Sequence, residues 1–209
     1  AGLSYRAGQF AWLRLNCSAF SPREHPFSIA AAPSDGAALR FLIKEAGDFT
    51  RQIGGLPIGA RAFVDGPHGA LYLEGRREPG IFMIAGGAGL APMLSMLREA
   101  AARGETRPIK LLYGNRHEGQ IMAAADLVAL AVRLRLDLRH VLQEPPPGWA
   151  GLAGMMTPEL IQAEATRAGA EGWVFLLCGP GPMIRAAHQG LRALGVPRRR
   201  ILEERFSVF

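Results

Sequence analysis

The sequence predicts a chain in two parts: an all-β unit, then an α/β unit whose parallel sheet is covered by helices on both faces. Three observations predict it. From Gln9 to Val64, short apolar runs are separated by turn residues, as in strands joined by tight connections. From Ile81 onward, apolar runs alternate with helical patterns, which is how a doubly wound parallel sheet is built. The polar stretch from Glu74 to Gly80 separates the two patterns. The expected domains are residues 1–76 and 77–209.

Taken in order, the first part is expected to hold strands at Gln9 to Leu15, Pro26 to Ala31, Ala38 to Lys44 and Ala60 to Val64, with one short helical piece near Phe49 to Ile53. The second part is expected to hold a five-stranded parallel sheet. Its strands are Ile81 to Ala85, Ile109 to Tyr113, Leu134 to Leu142, Trp173 to Cys178 and Ile201 to Phe206. Helices are expected between them at about Pro92 to Arg103, Ala123 to Ala131, Pro158 to Ala168 and Pro182 to Leu194. Pro145-Pro146-Pro147 reads as a loop inside the second part, because a further strand-helix pair and the last strand follow it. Ligands of such sheets lie beyond the carboxyl ends of the strands.

Composition narrows the classes. A 209-residue chain that is 49% hydrophobic can bury a core. Asp126 interrupts the apolar run from Ala123 to Val132, and Gly179, Pro180 and Gly181 end the run from Trp173. The chain as given therefore does not span a bilayer. Ala1 to Gly8 shows no secretion signal, so a cytosolic location is expected. Cys17 and Cys178 have no Cys or His companions at metal-ligand spacing, which excludes an iron–sulfur cluster within this chain and predicts no metal site. The net charge of +6 is scattered except at Arg198 to Arg200. Without a reading helix or an aromatic-interleaved basic motif, no nucleic-acid partner is expected.

Three segments carry chemistry. Strand Ile81 to Ala85 runs into Gly86-Gly87-Ala88-Gly89-Leu90-Ala91-Pro92 and then an amphipathic helix with Met93, Leu94 and Leu97. Glycines let backbone N–H groups approach a pyrophosphate, the helix N-terminus adds partial positive charge, and Pro92 fits a first-turn position. A tight turn without a ligand has the same composition, but its place directly after a buried strand favours the nucleotide reading. The next strand ends in Tyr113-Gly114-Asn115-Arg116, where an arginine suits a 2′-phosphate and so favours NADPH over NADH. Plain solvent exposure explains Arg116 equally well. Strand Trp173 to Leu177 delivers Cys178-Gly179-Pro180-Gly181-Pro182-Met183, and a small polarizable residue followed by glycine leaves room for a flat ring.

Together these blocks resemble the ferredoxin–NADP⁺ reductase superfamily over essentially the whole chain. His25-Pro26-Phe27-Ser28 is most similar to the flavin motif of the FAD/NAD(P)H dehydrogenase domain in the ferric reductase and NADPH oxidase group. The resemblance implies an FAD-binding β-barrel followed by an NAD(P)H-binding domain. It places Phe27 along the isoalloxazine ring, Ser28 near flavin N5, and His25 where an arginine usually meets the flavin phosphate. Ile43 and Lys44 would line the flavin chain, and Gly47-Asp48-Phe49-Thr50 would be the pyrophosphate turn. Gly86 to Pro92, with Asn115 and Arg116, would hold the nicotinamide cofactor. Cys178-Gly179-Pro180 and Met183 would lie at its nicotinamide end. Glu204-Arg205-Phe206 resembles the family's Glu-x-Phe ending, and either Phe206 or Phe209 would shield the flavin. Ser28, Cys178 and Phe209 are thus the residues expected at the reacting rings.

The resemblance also implies a hydride passed from NAD(P)H to FAD, then single electrons to an acceptor. That acceptor would be haem in a transmembrane domain of the ferric reductase or NADPH oxidase type, or alternatively a separate iron–sulfur protein of an oxygenase system. A nucleotide-binding module that has lost flavin is the reading from another class. The block Tyr5-Arg6-Ala7-Gly8-Gln9-Phe10 is normally preceded by one more strand, so the barrel is expected to lack its first strand. The chain is accordingly expected to be a fragment whose preceding part bears haem in a membrane.

Overall fold

The computed structural model describes residues 3–18, 20 and 22–205. Its first part is an antiparallel sheet in the order β2–β1–β3, with β1 over Phe10–Leu15, β2 over His25–Ser28 and β3 over Ala62–His68. Alternation along β1 sets its inner face: Ala11 and Leu13 are buried, while Phe10, Trp12 and Arg14 are partly exposed. The expected strand from Ala38 to Lys44 is reduced to one bridge between Ile29 and Phe41. The amides of Ala30 and Ala31 both point at the Arg40 carbonyl, at 2.8 and 3.4 Å. A regular antiparallel ladder cannot continue past such a fork. Helix α1 (Asp48–Ile53) follows.

The second part is a six-stranded parallel sheet in the order β7–β6–β5–β4–β8–β9. Its strands are β4 (Ile81–Gly86), β5 (Ile109–Asn115), β6 (Leu136–Leu142), β7 (Leu152–Ala153), β8 (Val174–Gly179) and β9 (Ile201–Arg205). The expected five are present, and β7 is added at the edge, where the Gly154 amide reaches the Leu142 carbonyl at 2.8 Å. A two-residue strand carries no periodicity, so the sequence does not announce it. Every residue of β4 and β8 is buried, as their continuous apolar runs require of central strands. Helices α2 (Leu90–Ala102) and α3 (Ala124–Arg133) pack on one face; α4 (Pro158–Arg167) and α5 (Gly181–Ala193) pack on the other. Helix α4 starts where the Thr157 hydroxyl accepts from the Leu160 amide with Pro158 in the first turn.

The two sheets meet through main-chain carbonyls. Ser95 of α2 donates to the Ala31 carbonyl at 2.6 Å, Arg98 to the Ala30 carbonyl at 2.7 Å, and the Tyr5 hydroxyl to Ala31 at 3.0 Å. Burial, reinforced by the nearby charges of Asp35 and Glu99, pushes the Tyr5 phenol up to about 12, which keeps it a donor. Ala30, Ala31 and Ala32 are buried, and their small side chains let α2 approach the strand backbone.

At the amino end of the second sheet lies a buried ionic cluster. The Lys110 ammonium, 1% exposed, sits 2.6 Å from Asp137 and 2.7 Å from Glu164. Arg167 also reaches Glu164, at 2.5 Å. Burial raises the Glu164 carboxyl, but hydrogen bonds from Arg167 and Lys110 outweigh it and hold the group down at about 2. Lys110→Met leaves Glu164 with Arg167 alone and should lower the unfolding free energy by about 2–3 kcal/mol, read as a shifted urea midpoint. An unchanged midpoint would mean that Arg167 suffices for both carboxylates.

Candidate functional site

The glycine loop is shaped by the strand beside it. Strand β4 ends at Gly86, a short turn over Gly87–Gly89 follows, and α2 begins at Leu90. A Cβ on Gly89 would fall 2.0 Å from the Cys178 carbonyl oxygen, backbone against backbone. One on Gly86 would fall 2.8 Å from the Met183 sulfur and from Pro180. Met183 also presses on Gly179, so it fills the space between the carboxyl ends of β4 and β8. Gly87, at φ +52°, opens the other way, and a Cβ there would lie 4.0 Å from the Lys44 ammonium. Leu90, Ala91 and Pro92 have buried side chains, so their part is to begin the helix. A glycine cradle, a helix N-terminus and a lysine fit a pyrophosphate.

Across from this loop, β2 and α1 form an aromatic wall. The His25 imidazole stacks on Phe49 with centroids 3.7 Å apart, and Phe27 lies nearly parallel to Phe49 at 6.2 Å. Ile43 is half-buried, and Lys44 donates to Gln120 at 3.4 Å, which bridges the two parts above the glycine loop. The Thr50 hydroxyl is engaged within its own turn. It accepts from the Ala46 and Gly47 amides at 2.9 and 3.0 Å and donates to the Gly47 carbonyl at 3.0 Å. Thr50 thus shapes the turn rather than offering its hydroxyl to a phosphate. The first amides of α1, from Asp48 and Phe49, have no intrahelical acceptor, and they are the donors this turn can present to a flavin pyrophosphate.

Between loop and wall stands a polar cluster. The buried Ser28 hydroxyl donates to Glu204 of β9 at 3.3 Å. Strand pairing sets Glu204 beside Cys178, and its other oxygen lies 2.8 Å from where a Gly69 Cβ would stand. Burial raises the Glu204 carboxyl to about 7, with the Ser28 hydrogen bond pulling weakly the other way. Burial first, then the Glu204 charge, pushes the Cys178 thiol well up; Cys178 is a protonated wall residue. The sequence motif contained Glu204, but a hydrogen bond across 176 positions left no local trace in it. Phe206 and Phe209 lie outside the described residues.

At the end of β5, Asn115 is 5% exposed and both atoms of its carboxamide lack hydrogen-bond partners, although the Tyr113 hydroxyl lies beside it. Unpaired buried donors and acceptors at a strand's carboxyl end suit a ribose. Arg116 is not a free cation: its Nε sits 2.6 Å from Glu144, whose amide bonds back to the Arg116 carbonyl at 2.9 Å. The arginine expected to suit a 2′-phosphate shares a carboxylate in this structure. A cavity of about 640 Å³ lies elsewhere, beside Tyr5, Arg6 and the end of α2. Its charged groups are paired, Arg6 with Glu74, Arg103 with Glu99 and Arg107 with Glu105.

Fold and site define an oxidoreductase of two parts, one of the FAD-binding and one of the NAD-binding type. Residues 83–189 match the oxidoreductase NAD-binding domain family and residues 1–71 an FAD-binding domain family. The chain belongs to this oxidoreductase NAD-binding family and has the fold of the ferredoxin–NADP⁺ reductases. It is 33% identical over 162 residues to NADH-cytochrome b5 reductase 1 of Cryptococcus neoformans, covering 73% of this chain and 55% of that protein. A cytochrome P450 reductase from Amycolatopsis matches with a TM-score of 0.84 at 26% identity, covering 99% of this chain and 62% of the other. A ferredoxin NADP⁺ reductase from Neisseria gonorrhoeae, with bound FAD and NADP, shares the fold at 21% identity and a TM-score of 0.80, covering 96% and 87%. The chain spans about half the length of the curated relatives it matches.

The Gly89 contact yields a direct expectation. Gly89→Ala should weaken nicotinamide-nucleotide binding about tenfold or more while FAD retention is unchanged, because only the loop against β8 must move. Gly119→Ala, where nothing lies within 4 Å of an added Cβ, should bind as the parent does. Titration of both variants with NAD⁺ and NADP⁺ decides it.

Proposed function

We propose that this chain accepts a hydride from a nicotinamide cofactor onto FAD and delivers electrons singly to a haem protein. The observation that carries the proposal is the Ser28–Glu204–Cys178 cluster, where the flavin-side and nicotinamide-side strands come within hydrogen-bonding distance. When bound, the two cofactors supply the redox chemistry, a two-electron hydride donor facing a carrier that can release electrons one at a time. The chain supplies position, dryness and a proton. Phe27, Phe49 and His25 form the wall against which a flat ring can lie, and Gly179 leaves no side chain over the opposite face. Ser28 places its hydroxyl at the ring edge. Glu204, poised near neutrality, exchanges a proton through that hydroxyl. Lys44 stands over the glycine loop as the cation for the nicotinamide cofactor's pyrophosphate.

The acceptor class draws support from relatives named for cytochrome b5 and cytochrome P450. The finer reading, a dehydrogenase arm serving a transmembrane haem domain of the ferric reductase or NADPH oxidase type, rests on His25-Pro26-Phe27-Ser28. Among the described residues no helix is long and apolar enough to cross a membrane, so that haem domain would belong to another segment or another chain. Both nucleotides should be accepted, since Glu144 offers a carboxylate to a ribose hydroxyl while Arg116 offers a guanidinium to a phosphate.

Anaerobic mixing of the FAD-loaded chain with NADH or NADPH tests the proposal, with flavin bleaching as the signal. Ser28→Ala should slow bleaching about tenfold at unchanged FAD occupancy. In the parent the rate should inflect near pH 7, and Glu204→Gln should abolish the inflection. Stability carries the same signature. The folded chain keeps the Glu204 proton between 4.5 and about 7, where the unfolded chain has lost it, so stability should fall as pH rises through that window. The fall should disappear in Glu204→Gln. A parent that NADH and NADPH both fail to bleach, or reduced protein that passes electrons to an iron–sulfur protein but not to cytochrome b5, would overturn the proposal.

Nucleotide choice gives a separate check. Glu144→Gln frees Arg116 and removes a like charge, so NADPH should bind about fivefold more tightly, while NADH, which loses the carboxylate offered to its ribose hydroxyl, should bind more weakly. Arg116→Ala should weaken NADPH alone. Parallel changes for both nucleotides would dismiss this pair as the selector.

A further inference from the structure

Away from the cofactor loops, α5 and β9 enclose a groove of about 350 Å³. Helix α5 contributes Arg185, His188, Gln189 and Arg192, which recur at i, i+3, i+4 and i+7 and so share a stripe, distinct from the stripe of Ile184, Ala187 and Leu191 that packs on the sheet. Arg198 comes from the turn before β9; Glu203 and Arg205 are two apart on β9 and so share a face. The one carboxylate among these groups is committed: Glu203 pairs with His188 and, at 2.9 Å, with Arg205. Among the described residues, no hydrogen bond or ion pair engages the side chains of Arg185, Arg192 or Arg198. None of the residues lining the cofactor site lines this groove.

Three unpaired guanidiniums gathered at one concavity repel one another, and the local carboxylate cannot neutralise them. Solvent screens that repulsion, but a multivalent anion would cancel it and use the donors in bidentate pairs, the geometry in which arginine binds phosphate most strongly. The groove's volume is sufficient for a compact anion. We propose that the α5–β9 groove is a binding site for a compact multivalent phosphate, whether free di- or triphosphate or the phosphate groups of a small metabolite, separate from both cofactor sites. Such a ligand would tie α5, which begins directly after Cys178-Gly179-Pro180, to the strand that carries Glu204.

The test uses the FAD-loaded chain with NAD⁺ at saturation, so that the cofactor pyrophosphate sites are filled. Pyrophosphate is titrated at constant ionic strength held with potassium chloride, and binding is followed by calorimetry and by the thermal midpoint. Saturable binding with a rise in midpoint is expected, because a ligand that binds only the folded state stabilises it by mass action. Arg185→Ala, Arg192→Ala and Arg198→Ala should each weaken binding about tenfold, whereas Arg103→Ala, which removes the same charge from the end of α2, should change nothing. Tripolyphosphate and a sugar phosphate form further arms: binding of tripolyphosphate alone assigns the site to free polyphosphates, and binding of both assigns it to phosphate groups in general. The proposal is overturned if pyrophosphate does no more than matched chloride, if its affinity is unaltered in all three groove variants, or if a hexaglutamate peptide binds there and no phosphate does. Because the groove shares no residue with the reduction assay, failure here leaves the proposed electron transfer untouched.

Discussion

Two backbones pass at the carboxyl edge of the second sheet with no room for a methyl group between them, and the site depends on that contact. Gly89 lies against the Cys178 carbonyl, so the loop after β4 and the end of β8 are positioned by each other. Met183 then fills the space bounded by Gly86 and Gly179, which fixes the start of α5. With β8 held, its neighbour β9 sets Glu204 beside Cys178 and within reach of Ser28 on the other sheet. A side chain at Gly89 would push the loop off β8, because backbone atoms cannot rotate aside as a flexible side chain can.

The sheet also separates two kinds of carboxylate by environment. At its amino end, Glu164 has two cationic partners and is held at about 2. At its carboxyl end, Glu204 has a single hydroxyl partner and burial carries it to about 7. Desolvation acts on both groups. The difference is how fully hydrogen bonds and opposite charge repay it. A satisfied ion cluster holds strands and a helix together, whereas an under-satisfied acid remains able to gain or lose a proton, and the chain keeps the two at opposite ends of the same sheet.

Much of this was legible from the residues. The alternation of apolar strands with helices from Ile81 onward gave five of the six sheet strands and all four flanking helices, because each element is long enough to show its period. Gly86 to Pro92 was legible as a cradle, since glycine directly after a buried strand is a backbone requirement that sequence records. Less was legible where a property arises between distant residues. Nothing near Ser28 announces Glu204, and nothing near Arg116 announces Glu144, so the charge balance at each had to come from three dimensions. Thr50 reads as a phosphate ligand in sequence, but its hydroxyl is consumed by the turn that contains it. The segment from Ala38 to Lys44 has strand composition yet forms a single bridge, because the fork at the Arg40 carbonyl is set by how the chain turns and not by residue type.

The docking of α2 on the first sheet has a consequence for how such a chain can diverge. Ser95, Arg98 and Tyr5 hold the segment after β2 by its carbonyl oxygens, and every amino acid presents a carbonyl there. What the joint demands of Ala30, Ala31 and Ala32 is small volume, not chemical identity. The surface of the first part can therefore accumulate substitutions while the mechanical seam between the two parts stays the same.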